Sequence, residues 1–533
     1  MAMAQLCQAD DFDDFLAKEI SDFDKFISDA DKEFLNFLRN PWQEIKTEKP
    51  LEKRLKPEPL IPVVYKPTAT PQQEAPKLYD VEEIIETTTG ESRLKPATPT
   101  GSAIDAVDIA SRKVSATPPS APKTPLTTGP SLKAPTSQQS PKNSAAATTA
   151  PTAPSTPQSP KTPAVKPAPA PKSGALYTGG NGRDPFQFAG VTYHIDNKLK
   201  NAISLSSLSE NKIADAYETL LRSDYGQLID DFKTLRQNNL GNDWALNELI
   251  RTVAEKYVGK NESVVMRQFL LNKLGYRARM ARKGNSELKL LVNPDCKLYA
   301  CIFIGLNGHN YYDVGNKSGD AFYICRQDAP GATNSLQMDL KAYPAHSESR
   351  VKSTRSHGGT TVTVDVAKPL MEFINTIPQC DYRVYAESAV DPVVASQLLS
   401  QLGKAIEGKS ELEAANLLLS FVQSAFDYKT DPEQFGYEKP FFVEELFYYP
   451  ACDCEDRSVL YRYLVKNLLG LDVVLLDYPN HLATAVKFNT PVSGDAVNVG
   501  GQKYIICDPT FIGAGVGRQM PGLDYGKMKA IVL

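Results

Sequence analysis

The sequence predicts an α+β fold in which a helix that begins with a cysteine packs on an antiparallel sheet. Apolar residues recur at helical spacing after Cys454 as far as Gly470, a residue typical of helix ends. Three strand-like runs follow between residues 471 and 507. A similar order of helix, glycine and three strand-like runs surrounds Gly275. We therefore expect two units of related architecture along the chain.

Residues 10–46 are predicted to form an acidic amphipathic helix. Pairs of phenylalanines begin at Phe12, Phe23 and Phe34, an interval that keeps the pairs on one side of a helix. Aspartates dominate the remaining surface, and Pro41 ends the helical pattern. A stripe of phenylalanines on one side of a helix must be buried against another apolar surface. The helix is therefore expected to self-associate as in a coiled coil, to dock on the globular part of the chain, or to bind a dedicated partner.

Residues 47–182 are predicted to be a disordered linker. Proline, threonine, alanine, serine and lysine dominate this segment, and no acidic residue occurs between Asp108 and Asp184. Such a composition cannot bury enough apolar surface to offset the loss of chain entropy on folding. Residues 78–89 are the exception and are predicted to form a short ordered island.

Composition excludes several classes of protein. A net charge of −4 over 533 residues argues against a general nucleic-acid binder. The eight cysteines show neither the density of a disulfide scaffold nor the spacing of a zinc site. No apolar run approaches the ~20 residues of a membrane span. The first residues lack the charged and apolar regions of a signal peptide, but Ala2-Met-Ala4 resembles the end of one, so cytoplasmic and exported locations both stay open.

Residues 183–390 are predicted to form an α+β domain. Aligning residues 269–275 with residues 463–470 places valine or serine near the position of the thiol. We interpret this domain as a degenerate copy of the C-terminal one, the alternative being an unrelated α+β domain. Within it, residues 381–387 are predicted to form a strand, and His346 is predicted to be a surface histidine.

Residues 391–533 carry the predicted chemistry. Cys454 opens a helix, where unpaired N–H groups and the positive end of the dipole favour a thiolate. His481 opens a strand and Asp508 follows a later one, an order that indicates a Cys-His-Asp triad. His481 would accept the thiol proton, and Asp508 would orient the imidazole. Cys452 is the rival nucleophile, although it lies before the helix.

Acidic residues surround the predicted nucleophile. Asp453, Glu455 and Asp456 carry like charge that would raise the pKa of the thiol. These side chains are expected to point away, to pair with Arg457, or to bind a hard cation such as calcium. The simpler alternative is that they are solvated acids that cap the helix.

Asp453-Cys-Glu-Asp-Arg-Ser458, His481 and Asp508-Pro-Thr510 together resemble the core of the transglutaminase-like superfamily. The resemblance implies a papain-like fold with Cys454 as nucleophile, His481 as base and Asp508 as orienting residue. The triplet around Cys454 is similar to that of calcium-dependent bacterial cysteine proteinases, where the neighbouring acids take part in metal binding. It therefore implies Asp453 and Glu455 as calcium ligands, and a bacterial, exported protein.

The residues after the histidine differ from those of many transglutaminase-like proteins. His481-Leu-Ala-Thr-Ala-Val486 has no aromatic residue, which argues against protein cross-linking and favours hydrolysis. The predicted function is therefore that of a cysteine hydrolase that cleaves peptide or isopeptide bonds in a protein or peptide substrate. Acyl transfer or deamidation is the enzymatic alternative, and a non-catalytic binding or scaffold protein is the other.

Overall fold

Helices and antiparallel sheets together build this protein, which confirms the predicted α+β class. The computed structural model describes residues 29–52, 63–66, 76–86, 92–94, 182–319 and 321–533. The predictions made for residues 10–28 and for most of the linker, 53–62, 67–75, 87–91 and 95–181, lie outside the described residues. Among the helices that the structure describes, none is long and apolar enough to cross a membrane.

The described part of the N-terminal helix, α1 (29–39), docks on the body of the chain. Phe34 and Leu38 are buried in the core, and the Phe34 ring lies 5.5 Å from that of Tyr217. Arg39 forms ion pairs with Asp215 at 2.6 Å and Glu218 at 2.7 Å. This part of the phenylalanine stripe is therefore covered by the chain itself.

Residues 43–46 form a strand, so the prediction of a helix as far as residue 46 is wrong. The helix ends at residue 39, just before Pro41, as the missing N–H of proline requires. Strand β1 (Gln43–Lys46) then pairs antiparallel with residues 321–324. The hydrogen bonds of a sheet edge, which local sequence does not reveal, determine this conformation.

Three short strands come from the predicted linker. They are β2 (Leu78–Asp80), β3 (Glu82–Glu86) and β4 (Ser92–Leu94). The first two lie within the predicted ordered island, and both belong to the C-terminal sheet.

Residues 182–390, the first lobe, combine a helical layer with a sheet. Its elements are β5 (Arg183–Phe188), β6 (Val191–Asp196), α2 (Glu210–Arg222), α3 (Gly226–Asn238), α4 (Asp243–Tyr257), α5 (Lys260–Lys273), β7 (Ala278–Lys283), β8 (Glu287–Val292), β9 (Phe303–Leu306), β10 (His309–Tyr312), β11 (Ala321–Ile324), β12 (Arg350–His357), β13 (Thr360–Ala367), α6 (Lys368–Ile374) and α7 (Tyr382–Glu387). The main sheet has the order β1-β11-β7-β8-β10-β9, and α5 packs on β7 and β8.

The prediction of a strand over residues 381–387 is wrong, because this segment forms helix α7. Val384 and Tyr385 are buried, the Tyr385 hydroxyl accepts a hydrogen bond from the Cys380 N–H at 3.1 Å, and α7 packs against a long helix of the second lobe. Valine and tyrosine favour strands on average, but packing between the lobes overrides that preference here.

Residues 391–533, the second lobe, place one long helix on a sheet. Its elements are α8 (Pro392–Ile406), α9 (Glu411–Ser424), β14 (Asp427–Tyr428), α10 (Asp431–Gln434), α11 (Glu445–Tyr448), β15 (Ala451–Cys452), α12 (Cys454–Leu469), β16 (Asp472–Tyr478), β17 (His481–Lys487), β18 (Ala496–Val499), β19 (Gln502–Cys507), a 3₁₀ turn (Tyr525–Lys527) and β20 (Lys529–Val532). Helix α12 packs on β16, β17 and α9. It ends at Gly470, whose φ of +66° is the left-handed conformation that glycine adopts most readily.

The segment 78–86 closes the second-lobe sheet. The strand order is β2-β18-β19-β17-β16-β20-β3-β4, so β2 and β3 lie near opposite ends although only Val81 separates them in sequence. Leu78 pairs in parallel with Ala496, and Glu82 with Lys529. One segment therefore bridges both edges of the five central strands and turns the sheet into a barrel.

We expect Tyr79→Ala to destabilise the barrel by about 2 kcal/mol. The Tyr79 ring stacks on Tyr525 with centroids 5.1 Å apart, and its hydroxyl donates to Gln519 Oε1 at 2.6 Å. An aromatic pair and a hydrogen bond each contribute about 1 kcal/mol. Urea unfolding measures the loss, and Tyr79→Phe, which keeps the stack, should lose only about half of it. A Tyr79→Ala variant as stable as wild type would contradict a closing role for this segment.

His346 is a nearly buried partner of Asp391, so the prediction of a surface histidine is wrong. Its Nε2 lies 2.8 Å from Asp391 Oδ2, and its side chain is 9 % exposed. Asp391 also caps α8 by accepting from the Val393 N–H at 2.8 Å, and Arg350 approaches it at 3.3 Å. Although burial opposes the charged imidazole, the hydrogen bond to Asp391 raises the pKa of His346 overall.

His346→Gln should therefore cost more stability at pH 5.5 than at pH 8.5. The raised pKa of His346 gives stability that is complete below the unfolded value of about 6.5 and is lost as the pH rises through the folded value. Although burial opposes it, the hydrogen bond from His346 lowers the pKa of Asp391, which therefore stays ionised at pH 5.5. Urea unfolding at both pH values, on wild type and variant, isolates this pair because Glu444, whose pKa burial raises to about 7, titrates in both proteins. An equal cost at the two pH values would contradict the charged pair.

The two lobes have the same strand order. The first-lobe sheet, taken from β9, runs β9-β10-β8-β7-β11-β1. In the second-lobe sheet, the six strands between β2 and β4 run β18-β19-β17-β16-β20-β3. Along the sequence, each lobe has a helix, a first pair of strands, a second pair and a last strand. These are α5 and β7 to β11 in the first lobe, and α12 and β16 to β20 in the second. Helix α5 packs on its first two strands, as α12 does.

Candidate active site

Helix α12 presents Cys454 as its first residue. Asp456 reaches back to accept a hydrogen bond from the Asp453 N–H at 3.0 Å, which fixes the first turn. The Ser458 hydroxyl donates to the Leu482 carbonyl at 3.0 Å. Ser458 lies one turn after Cys454, and Leu482 directly follows His481, the first residue of β17. This hydrogen bond therefore holds the start of α12 beside the start of β17.

His481 and Asp508 form a buried pair. His481 Nε2 lies 2.9 Å from Asp508 Oδ2, and their side chains are 0 % and 2 % exposed. The Thr510 N–H donates to Asp508 Oδ1 at 2.9 Å and fixes the carboxylate. A carboxylate only accepts, so the ring proton lies on Nε2 and His481 Nδ1 keeps its lone pair. Among the described residues, Nδ1 has no hydrogen-bond partner.

The Cys454 thiol is directed at an acid. Its Sγ donates to Glu455 Oε2 at 3.0 Å, and the residue is completely buried. The three predicted catalytic residues therefore occur as a bonded His–Asp pair and a thiol whose proton points to Glu455.

Five buried carboxylates, which we call the acidic cluster, lie beside the thiol. They are Asp431, Glu438, Asp453, Glu455 and Asp456. In three overlapping groups, their oxygens, with the Cys454 sulfur in one group, lie within 4.8 Å of one another. Burial and neighbouring carboxylates raise the pKa of Asp431 to about 10 and that of Asp456 to about 7. The alternative of solvated acids is therefore wrong, although Asp456 does cap the helix.

Arg457 is not the counter-ion that the sequence analysis considered for these acids. Its guanidinium is buried and donates to the carbonyls of Gln423 at 3.0 Å and Phe426 at 2.8 Å. Gln423 is in the last turn of α9, so Arg457 caps that helix. Arg457 therefore does not supply the positive charge that would balance the acidic cluster.

Cys452 does not have the surroundings of a nucleophile. Burial raises its pKa to about 12, which keeps the thiol protonated at neutral pH. Cys507 is equally buried, and burial also raises its pKa to about 12. Both belong to the core.

A loop at residues 436–443 is held against the acidic cluster. The Lys439 N–H donates to Asp431 Oδ2 at 2.5 Å, and the Phe441 N–H donates to Asp456 Oδ1 at 2.8 Å. A cavity of about 270 Å³ lies on this loop, lined by Glu438 and Lys439 and by Tyr299 of the first lobe. Glu438 therefore connects the cluster to an opening between the lobes.

The residues implied as calcium ligands, Asp453 and Glu455, lie in the acidic cluster, as does Asp456, for which cation binding was one of the alternatives. The other two acids, Asp431 and Glu438, were not predicted as ligands. Asp431 and Glu438 are 15 or more positions before Asp453 in sequence. The visible signal for Asp431 is Thr430-Asp-Pro432, which starts the short helix α10. Glu438 has no comparable local signal, because it joins the cluster only through the path of its loop.

The donor set of the acidic cluster fits calcium. Calcium takes six to eight oxygen ligands, with carboxylates prominent among them. Up to five carboxylates with closely spaced oxygens supply this chemistry. Burial and, after it, repulsion by Asp456 and Glu455 raise the pKa of Asp431, and calcium would relieve the repulsion. Comparison of the chain with family models, with curated proteins and with solved structures found no match.

Proposed function

We propose that this protein is a cysteine hydrolase that cleaves peptide or isopeptide bonds through an acyl-thioester intermediate. The observation that carries the proposal is the buried His481–Asp508 pair at 2.9 Å, with a lone pair on His481 Nδ1 and a cysteine at the start of the adjacent helix. A base activates a thiol when the two side chains come within hydrogen-bond reach, and His481 Nδ1 is the group proposed to do so here. The resemblance of the motifs to transglutaminase-like proteins supports a papain-like fold for the second lobe.

Each residue has one role in the proposed reaction. His481 Nδ1 accepts the proton of Cys454, and Asp508 holds the Nε2 proton and stabilises the imidazolium. The thiolate attacks the scissile carbonyl carbon, and His481 returns the proton to the leaving amine as the C–N bond breaks. A water molecule, deprotonated by His481, then attacks the thioester, which releases the acid and restores the thiol.

Glu455 controls whether this sequence starts. The thiol donates to Glu455 Oε2, and His481 Nδ1 accepts no hydrogen bond from the described residues. Calcium held by Asp453, Glu455 and the other acids of the cluster would supply positive charge that neutralises these carboxylates. With Glu455 bound to calcium, the Cys454 thiol would donate its proton to the His481 imidazole. We therefore expect the nucleophile to be silent without a divalent cation.

The test is alkylation of Cys454 by iodoacetamide, with mass spectrometry of the labelled peptide as readout. It is run with about 1 mM calcium or with a chelator, at several pH values. We expect labelling of Cys454 at neutral pH that depends on calcium and is unchanged in Cys452→Ala. Absence of labelling at Cys454 under every condition would sink the enzyme proposal and leave a binding or scaffold protein.

The duplicated architecture belongs to the same proposal. The equal strand order of the two sheets supports the interpretation that the first lobe is a degenerate copy of the second. Its helix α5 begins with Lys260 where α12 begins with Cys454. The first lobe therefore has no thiol at that position and would contribute to substrate binding and not to bond cleavage.

A further inference from the structure

A second cavity, of about 430 Å³, lies in the first lobe, away from the acidic cluster. It is lined by α4, by α5, by β8 and by the residues that follow β10. Lys260, Glu287 and Asp313 all line it. These three are the first residue of α5, the first residue of β8 and the residue after β10. In the second lobe the corresponding positions carry Cys454, His481 and Asp508, so this cavity is the topological counterpart of the candidate active site.

Most cations of this cavity already have acidic partners. Arg251 pairs with Glu248 at 2.9 Å and with Glu255 at 3.0 Å. Lys260 and Lys289 both pair with Glu287 at 3.1 Å. The surface charges of the cavity are therefore largely balanced before a ligand is considered.

Arg267 is the exception. It lines the cavity, and within the described parts of the chain it forms no hydrogen bond or ion pair. Its Nε atom is buried with no acceptor. Asp313, the remaining acid that lines the cavity, forms no ion pair with Arg267. Burial raises the pKa of the Asp313 carboxyl.

A guanidinium that has a buried N–H without an acceptor is unfavourable for a fold. Burial lowers the pKa of Arg267 to about 10, so the group is still charged at neutral pH. Its buried Nε–H has lost its hydrogen bonds to water and gains none from the described residues. Methionine would fill similar space without that loss. The contacts within the fold therefore give no reason for an arginine at this position. A guanidinium binds oxyanions through paired N–H bonds.

We propose that this cavity binds a carboxylate group of a small acid or a peptide through Arg267. Arg267 is the one cation of the cavity without an ion pair among the described residues. The four acids that line the same cavity would repel a phosphate dianion more strongly than a singly charged carboxylate. The volume accommodates a small acid or the end of a peptide chain. This site does not require the chemistry of Cys454, so it stands or falls separately from the proposed hydrolase activity.

The test is the melting temperature of the full chain with sodium propionate, alanyl-alanine, its C-terminal amide or inorganic phosphate, at constant ionic strength. A ligand that binds only the folded state raises the melting temperature. We expect a rise of about 2 °C or more with a free carboxylate at tens of millimolar, and none with the amide. A rise with alanyl-alanine alone identifies a peptide end as the ligand, whereas an equal rise with propionate identifies a small acid. No rise with either carboxylate, or an equal rise with the amide, would overturn the proposal, as would a larger rise with phosphate.

Two arginine variants separate binding from structure. Arg267→Met should melt at a higher temperature than wild type without ligand and show no ligand-induced rise. Arg251→Met, the matched control from the same cavity, should melt lower and keep the rise. A lower melting temperature for Arg267→Met would indicate a structural arginine and overturn the proposal. If Arg267→Met does not fold, Arg267→Lys is measured instead. A ligand-induced rise in the melting temperature of Arg267→Lys equal to that of wild type would overturn the proposal.

Discussion

His481→Gln will lower the rate of thioester formation at Cys454 by about 10²- to 10⁴-fold, the usual contribution of a general base. Glutamine keeps a polar side chain of similar size, but it cannot accept the thiol proton at neutral pH. The same change should slow alkylation of Cys454, because the base that accepts the thiol proton is gone. Alkylation rates followed by mass spectrometry, with calcium present, measure this effect.

The control for this prediction is a histidine outside the site. His357 ends strand β12 and pairs with Thr360 in a hairpin. His357→Gln should leave the alkylation rate unchanged, and circular dichroism of both variants should match wild type. If His481→Gln reacts as fast as wild type while folded, the imidazole is not the base, and Glu455 becomes the group that accepts the proton.

Arg457→Met will destabilise the second lobe by about 2–4 kcal/mol. The guanidinium donates to the Gln423 and Phe426 carbonyls and lies 5.2 Å from the Tyr428 ring centroid. A buried carbonyl left without a donor costs about 1–3 kcal/mol, and two are affected. Removal of a buried charge offsets part of this loss. Urea unfolding measures the change in the free energy of unfolding.

Arg457→Lys distinguishes the two contributions. Lysine keeps the positive charge at the end of α9 but cannot reach both carbonyls with a planar fork, so we expect an intermediate loss. If the methionine variant is as stable as wild type, the capping bonds contribute nothing net, and Arg457 would have to be explained by its charge alone.

The sequence predicted the elements whose signals are local. The helical spacing after Cys454 and the stop at Gly470 correspond to α12, and the strand-like runs correspond to β16, β17 and β19. The sequence also predicted that Asp508 pairs with His481, and the structure brings the two together because antiparallel β17 and β19 are neighbours in the sheet. Proline at position 41 likewise marked the end of α1.

Long-range contacts decided the rest. Residues 43–46 and 78–86 are strands because they complete sheet edges built hundreds of positions later in the chain. Residues 382–387 are helical because of packing between the lobes. His346 looked exposed from its polar neighbours but is held by Asp391, 45 positions away.

The candidate site shows the same division. The amino-acid sequence by itself was enough to predict Cys454, His481, Asp508 and the acids beside the thiol as members of one site, since all of these mark the starts or ends of local elements. Only the tertiary structure brought in Asp431 and Glu438, directed the thiol at Glu455, and assigned Arg457 to a helix end. The physical reason is that charge compensation depends on distances in space, which a linear pattern does not contain.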